Sequence, residues 1–206
     1  MPLSTYAELQ TSIAGFLNRS DLTSQIPDFI SLAEARFNRE IRVPDMVKRS
    51  QSTITTGYVD LPTDWLQSVA IRVSSSDRFN AIEYVTSEQY YDLVNEKLTD
   101  LPRYYTILNR AIHLMPEPTA STTLELTYYA KIAALSGSNT TNWLLTRSPD
   151  LYLYGSLVSA EAFLMNDERL PIWKSVTDEI IANVKLEGEK AYRPTGALIA
   201  QKRSFG

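Results

Sequence analysis

His113 is the only histidine of the chain, and there is no cysteine. Thiolate catalysis, disulfides and Cys-ligated zinc or iron–sulfur centres are therefore closed to this sequence. His113 stands in AIHLMP, on a short strand that ends in a turn, with no acidic pair beside it. It reads as a structural histidine rather than a base or a ligand. Asp60 and Asp64, in VDLPTDW, have a spacing that could suit an acid and a base. The plainer reading is a turn, because Asp and Pro supply turn geometry. The seven glycines are scattered, and none builds a GxGxxG or Walker-type phosphate loop. No GxSxG elbow, HExxH pair or EF-hand loop occurs. No catalytic, cofactor-binding or metal-binding residue is expected, and no cofactor.

Binding chemistry is the alternative. The doublets Tyr90-Tyr91, Tyr104-Tyr105 and Tyr128-Tyr129 could stack bases or sugars. Adjacent residues of a strand point to opposite faces, so one core and one surface tyrosine is the simpler account. The bases Arg36, Arg39, Arg42, Lys48 and Arg49 alternate with Glu34, Glu40 and Asp45. That pattern suits a solvated, ion-paired face better than a DNA site. After Glu189 no acidic residue follows, while Lys190, Arg193, Lys202 and Arg203 are basic and Leu198, Ile199 and Phe205 are apolar handles. Residues 193–206 are expected to be an extended docking arm, or else a frayed terminus.

A net charge of −4 argues against a general nucleic-acid binder, which carries a basic stripe. The N-terminus has neither a basic nor an apolar leader region, so no signal peptide is expected. The longest apolar stretch, Leu151 to Met165, falls short of the roughly 20 residues that span a bilayer.

The elements follow from periodicity. Thr5 and Glu8 form a capping box before Leu9, Ile13, Phe16 and Leu17 at helical spacing. A second helix over IPDFISLAEARFNREIR has Ile26, Ile30, Ala33, Phe37 and Ile41 as its apolar stripe, with Glu34 among the outward charges, and Pro44 stops it. Residues 48–132 hold short β-rich runs. They include a hairpin about Ser74 to Arg78, a short helix capped by Thr86 and Gln89, and two strands about Asn109-Arg110. They close on TTLELTYYAKI, in which Leu124, Leu126 and Tyr128 share one face. Residues 133–147 read as a polar connection. A helix from Ser148, Pro149 and Asp150 is expected to reach Asn166-Asp167. A last helix over 170–192 has Trp173, Val176, Ile180 and Val184 as its stripe and Lys174 with Asp178 as an i,i+4 pair.

The fold class expected from this order is α+β. Helix pairs at 1–47 and 133–192 would complete a four-helix bundle, with a β-rich insertion at 48–132 and an extended arm at 193–206. The helix after Ser148 is apolar all round. Leu153, Leu157, Ala160 and Leu164 lie on one face and Tyr154, Val158, Ala162 and Met165 on another, with Gly155, Ser156 and Ser159 small enough for close approach. Such a helix is buried on all sides. The second face meets either the rest of its own bundle or a neighbouring subunit.

Three segments, TYAELQTSIAGFLNRSDLTSQIPDFISLAEARFNREIRV, GYVDLPTDWL and LELTYYAKIAALSGSNTTNWLLTRSPDLYLYGSL, resemble in order and spacing the head-to-tail adaptor (connector) proteins of tailed bacteriophages. The resemblance implies a non-enzymatic virion protein at the head–tail junction, present in the host cytoplasm during assembly. It implies a homo-oligomeric ring, typically of twelve subunits, below the portal protein. The ring would pass the genomic DNA through its lumen without specific binding and offer a surface to tail or nozzle proteins; no membrane is involved. It also implies portal docking by the arm, through Arg193, Leu198, Ile199, Lys202, Arg203 and Phe205. The alternatives are another neck or tail ring component, such as a tail-completion protein, and a carbohydrate-active enzyme or binding module built on the tyrosine-rich β region.

Overall fold

The structure is a computed structural model that describes residues 3–19, 21–75, 78–96, 101–118, 120–164 and 168–192. Of Ser75, Arg78, Ala162 and Tyr192 it describes the backbone. The chain divides into two compact units. One takes the chain up to Asp45 and from Ile132 onward; the other takes Met46–Lys131.

The first unit is helical. Helix α1 (Tyr6–Leu17) starts at Thr5, whose hydroxyl accepts from the Glu8 N–H while Glu8 accepts from the Thr5 N–H, the capping box expected. Leu9, Ile13 and Leu17 are buried; Phe16 is exposed. Helix α2 (Ile26–Glu40) buries Ile26, Phe29, Ile30, Ala33 and Phe37. It also buries Glu34, a residue the periodicity places among outward charges. In the second unit α3 (Ser87–Asn95) carries the Thr86–Gln89 capping box. Back in the first unit, α4 (Trp143–Arg147) forms within the expected polar connection, because the Asn142 side chain accepts from the Leu145 N–H at 2.8 Å. Helix α5 (Pro149–Ser159) ends earlier than expected and tightens into a 3-10 turn over Ala160–Phe163. Helix α6 (Leu170–Tyr192) buries Trp173, Thr177, Ile181 and Val184, a stripe rotated from the expected one. Asp178 pairs with Arg36 of α2.

This is not the four-helix bundle with an inserted β segment that helix pairing predicts. The described residues form an α+β fold of six helices and two four-stranded sheets. A bundle needs helices of matched length along one axis. At 1.5 Å per residue α5 is only about 16 Å long against about 35 Å for α6, and it serves as the hub on which α1, α2, α4 and α6 each pack. Glycine lets α2 come close: a Cβ on Gly155 would lie 2.6 Å from Phe37 Cζ.

The second unit holds β1 (Val47–Ile54), β2 (Tyr58–Asp60), β3 (Trp65–Ser75), β4 (Arg78–Ala81), β5 (Glu83–Tyr84), β6 (Tyr104–Leu108), β7 (Ala111–Met115) and β8 (Thr122–Ala130). One sheet runs β1-β8-β3-β4, the other β2-β7-β6-β5. The first is antiparallel; in the second, β5 joins β6 in parallel. The expected hairpins are both present, and the β6–β7 turn places Asn109 and Arg110 at positive φ (47° and 61°). The two sheets share one core: Ile71, Val73, Leu124 and Leu126 come from the first, Ile112 and Leu114 from the second. Helix α3 packs on β6 and β7.

Candidate interface surfaces

Inside the helical unit, the centre of α5 is polar as well as apolar. Tyr152 is fully buried, with its ring edge-on to Phe37 at 5.4 Å. Its hydroxyl donates to Glu34 Oε1 at 3.0 Å and accepts from Asn142 Nδ2 at 2.6 Å. Glu34 Oε1 also accepts from the Leu135 N–H at 2.9 Å, and Asn142 Nδ2 also reaches the Ala133 carbonyl at 2.7 Å. Asn38 Oδ1 accepts from the Ile132 N–H. Three side chains thus tie α2 and α5 to the segment that leads from Ile132 into α4, satisfying backbone groups that a buried loop would otherwise leave unpaired. Burial pushes the Glu34 carboxyl above its ordinary range, against the two hydrogen bonds that favour its charged form. Burial and the Glu34 charge push the Tyr152 phenol up strongly.

The outer edge of α5 is different. Tyr154 and Val158 are half-buried. The Tyr154 ring meets Phe16 edge-on at 6.4 Å, and Phe16 is 45% exposed. Phe163 is 44% exposed while its ring packs at 5.2 Å on the buried Phe29. Two arginines pin this edge through backbone carbonyls: Arg169 donates to Phe16 and Arg19 to Phe163. The guanidinium of Arg169 lies 4.8 Å over the Trp173 ring. The unit therefore presents three aromatic residues, each anchored on one side and open on the other. Partly exposed aromatics beside arginine are the composition of protein interfaces.

With this geometry in place, the comparison with known families is decisive. The sequence pattern of the SU10 adaptor protein family matches residues 4–197. The chain belongs to that family. No curated protein matches the chain.

For a member of the SU10 adaptor protein family, the residues singled out by sequence fall into three groups. Of the second face of α5, Tyr154 and Val158 lie on the half-open edge, Ala162 lies on the 3-10 turn, and Met165 is outside the described residues. The small residues Gly155 and Ser156 do not reach that edge; they are buried, and Gly155 takes Phe37 and Ala33 of its own chain. The arm, from Arg193 through Leu198, Ile199, Lys202 and Arg203 to Phe205, lies wholly outside the described residues. The third group is the chemistry weighed at the outset. Asp64 accepts from the Tyr128 hydroxyl at 2.9 Å and from Lys48 at 2.7 Å, which hold its carboxyl low against burial. Asp60 is a β2 residue paired with Ala111. Among the described residues there is no group of three or more His, Asp or Glu placed to hold a metal ion, and no helix long and apolar enough to cross a membrane.

Sequence reasoning missed two features. Glu34 looks like a surface residue because its partners Leu135 and Tyr152 lie 101 and 118 positions away, whereas Asn142 has its partners within 10 positions but sits in a stretch that reads as a polar connection. The one signal was Asn142 just before the apolar run Trp143, Leu144, Leu145, which is an N-cap pattern.

Proposed function

We propose that this SU10-family adaptor is a structural, non-enzymatic protein of the virion. It forms a closed ring below the portal, extends the DNA channel, and offers the surface on which tail or nozzle proteins assemble. The observation that carries the reading is that the family pattern runs through both compact units, not one alone. A cyclic ring joins one face of each subunit to a different face of the next. The Phe16, Tyr154 and Phe163 edge, with Val158, supplies one such face. The second contact is the arm, with Arg193, Lys202 and Arg203 as cations and Leu198, Ile199 and Phe205 as apolar anchors for the portal. A net charge of −4 suits a lumen through which DNA slides, since a basic one would hold it by phosphate contacts.

The protein is expected to stay monomeric, or weakly associated, until a portal ring templates it. Mixing it with purified portal rings and imaging by electron microscopy tests this. A second ring of defined stoichiometry on the portal is the expected result. No association at any salt concentration, or binding to tail tubes in preference to portal, overturns the reading.

A further inference from the structure

The outer side of the second sheet carries an unbroken row of rings. Tyr58 of β2 stacks on its cross-strand neighbour His113 of β7, with ring centres 5.9 Å apart and planes 27° from parallel. His113 meets Tyr90 of α3 edge-on at 6.0 Å, and Tyr90 meets Tyr91 at 5.7 Å. Tyr90 is buried, but Tyr58 is 56% and Tyr91 59% exposed. The two exposed tyrosines leave apolar ring surface available to a partner, with a polar hydroxyl at the tip of each.

One carboxylate belongs to this row. Glu117 is exposed between Pro116 and Pro118, which are both buried and fix the backbone on either side of it. Its side chain lies against Gly57, the residue before Tyr58, so closely that a Cβ there would come within 2.7 Å of Glu117 Cγ. It is also near enough to the Tyr90 hydroxyl for its charge to act on that phenol. Among the described residues Glu117 has no hydrogen bond and no ion pair. By sequence the stretch 83–117 is acidic, with six carboxylates (Glu83, Glu88, Asp92, Glu96, Asp100, Glu117) and three basic side chains (Lys97, Arg103, Arg110).

We infer that Tyr58, His113, Tyr90 and Glu117 form a receptor for a single guanidinium or ammonium group, offered by a basic segment of a partner protein. The ring faces attract a cation through their quadrupoles. The Glu117 carboxylate, on a backbone set by the two prolines, supplies a charge-assisted hydrogen bond. A sugar could also stack on these rings, but it would leave Glu117 without a charge partner.

His113 makes the test direct, because the only histidine of the chain gives one assignable ring signal. The full chain, labelled with ring-13C histidine, is titrated with acetyl-Gly-Arg-Gly-amide and with its citrulline counterpart, which keeps the shape and loses the charge. The arginine peptide is expected to move the His113 signals saturably, and the citrulline peptide not. E117Q should weaken the apparent affinity about threefold to fivefold, and Y58L about twofold to fivefold. Both positions are exposed, so unchanged circular dichroism confirms the fold. Equal shifts with citrulline, no shift with arginine, or undiminished affinity in E117Q overturns the proposal. A shift produced by a chitin tetrasaccharide and not by the arginine peptide overturns it in favour of a glycan platform.

Discussion

Removing one oxygen from the centre of the helical unit, by Tyr152→Phe, tests how that unit is held together. The hydroxyl makes two hydrogen bonds, to Glu34 at 3.0 Å and from Asn142 at 2.6 Å. Its loss still leaves Glu34 the Leu135 N–H and Asn142 the Ala133 carbonyl. Each partner keeps one bond, but two are lost, one to a charged group at about 2 kcal/mol and one from a neutral amide at about 1 kcal/mol, so the cost should be about 3 kcal/mol. An isolated buried charge would cost about 3–5 kcal/mol. For a chain of this size about 3 kcal/mol lowers Tm by about 6–12 °C. The pH dependence has a definite sign. Burial raises the Glu34 carboxyl, so the folded state holds that proton more tightly than the unfolded chain does. This contribution to stability is fully present below about pH 4.5, the ordinary value, and is lost as the pH rises through the folded value. A protonated Glu34 is a weaker acceptor, so the Y152F penalty should shrink in acid. Thermal melts followed by helical circular dichroism, at neutral and acid pH, on the parent, Y152F, E34Q and the double variant, measure each part. E34Q should flatten the pH dependence and cut the Y152F penalty by about a third, as the bond to a neutral acceptor is worth about 1 kcal/mol instead of about 2. A Y152F cost below about 0.5 kcal/mol, or the same cost in both backgrounds and at both pH values, refutes the reasoning.

Other outcomes follow from single contacts. Gly155→Ala should destabilise by about 1–3 kcal/mol through overpacking against Phe37, measured by urea denaturation, because a Cβ would sit 2.6 Å from that ring. In the β unit, burial and the Asp64 carboxylate push the Tyr128 phenol up to about 12. Its contribution to stability is fully present below about pH 10 and lost as the pH rises through about 12, and Asp64→Asn should move the phenolate absorbance transition to lower pH. Tyr154→Lys or Val158→Asp should leave a folded monomer that fails to form rings on the portal; an unfolded monomer by circular dichroism would show that this edge belongs to the core instead.

The element inventory was largely legible because its signals are local. The Thr5 and Thr86 capping boxes, the two hairpin turns and the Leu124, Leu126 and Tyr128 face each rest on residues a few positions apart. The candidate edge was only partly legible. Tyr154 and Val158 are half-buried, whereas Phe16, which periodicity places in the apolar stripe of α1, is exposed, and Phe163 lies in the 3-10 turn beyond the early end of α5. Periodicity cannot fix that end, because the apolar pattern continues through Ala160, Ala162 and Leu164 while the backbone tightens.

The sequence by itself determined where α1, α2, α3, α5 and α6 begin, the absence of thiol chemistry, and an order of segments that marks the family. The tertiary structure alone decided that α5 is a short hub rather than one of four matched helices. It decided that the β region is two sheets on a shared core, and that Glu34 is a buried acceptor while Glu117 is an open one. The reason is the same in each case. Capping and periodicity are fixed by neighbours along the chain, whereas desolvation and partner choice are fixed by residues that only folding brings together: Glu34 lies 118 positions from Tyr152 and 101 from Leu135.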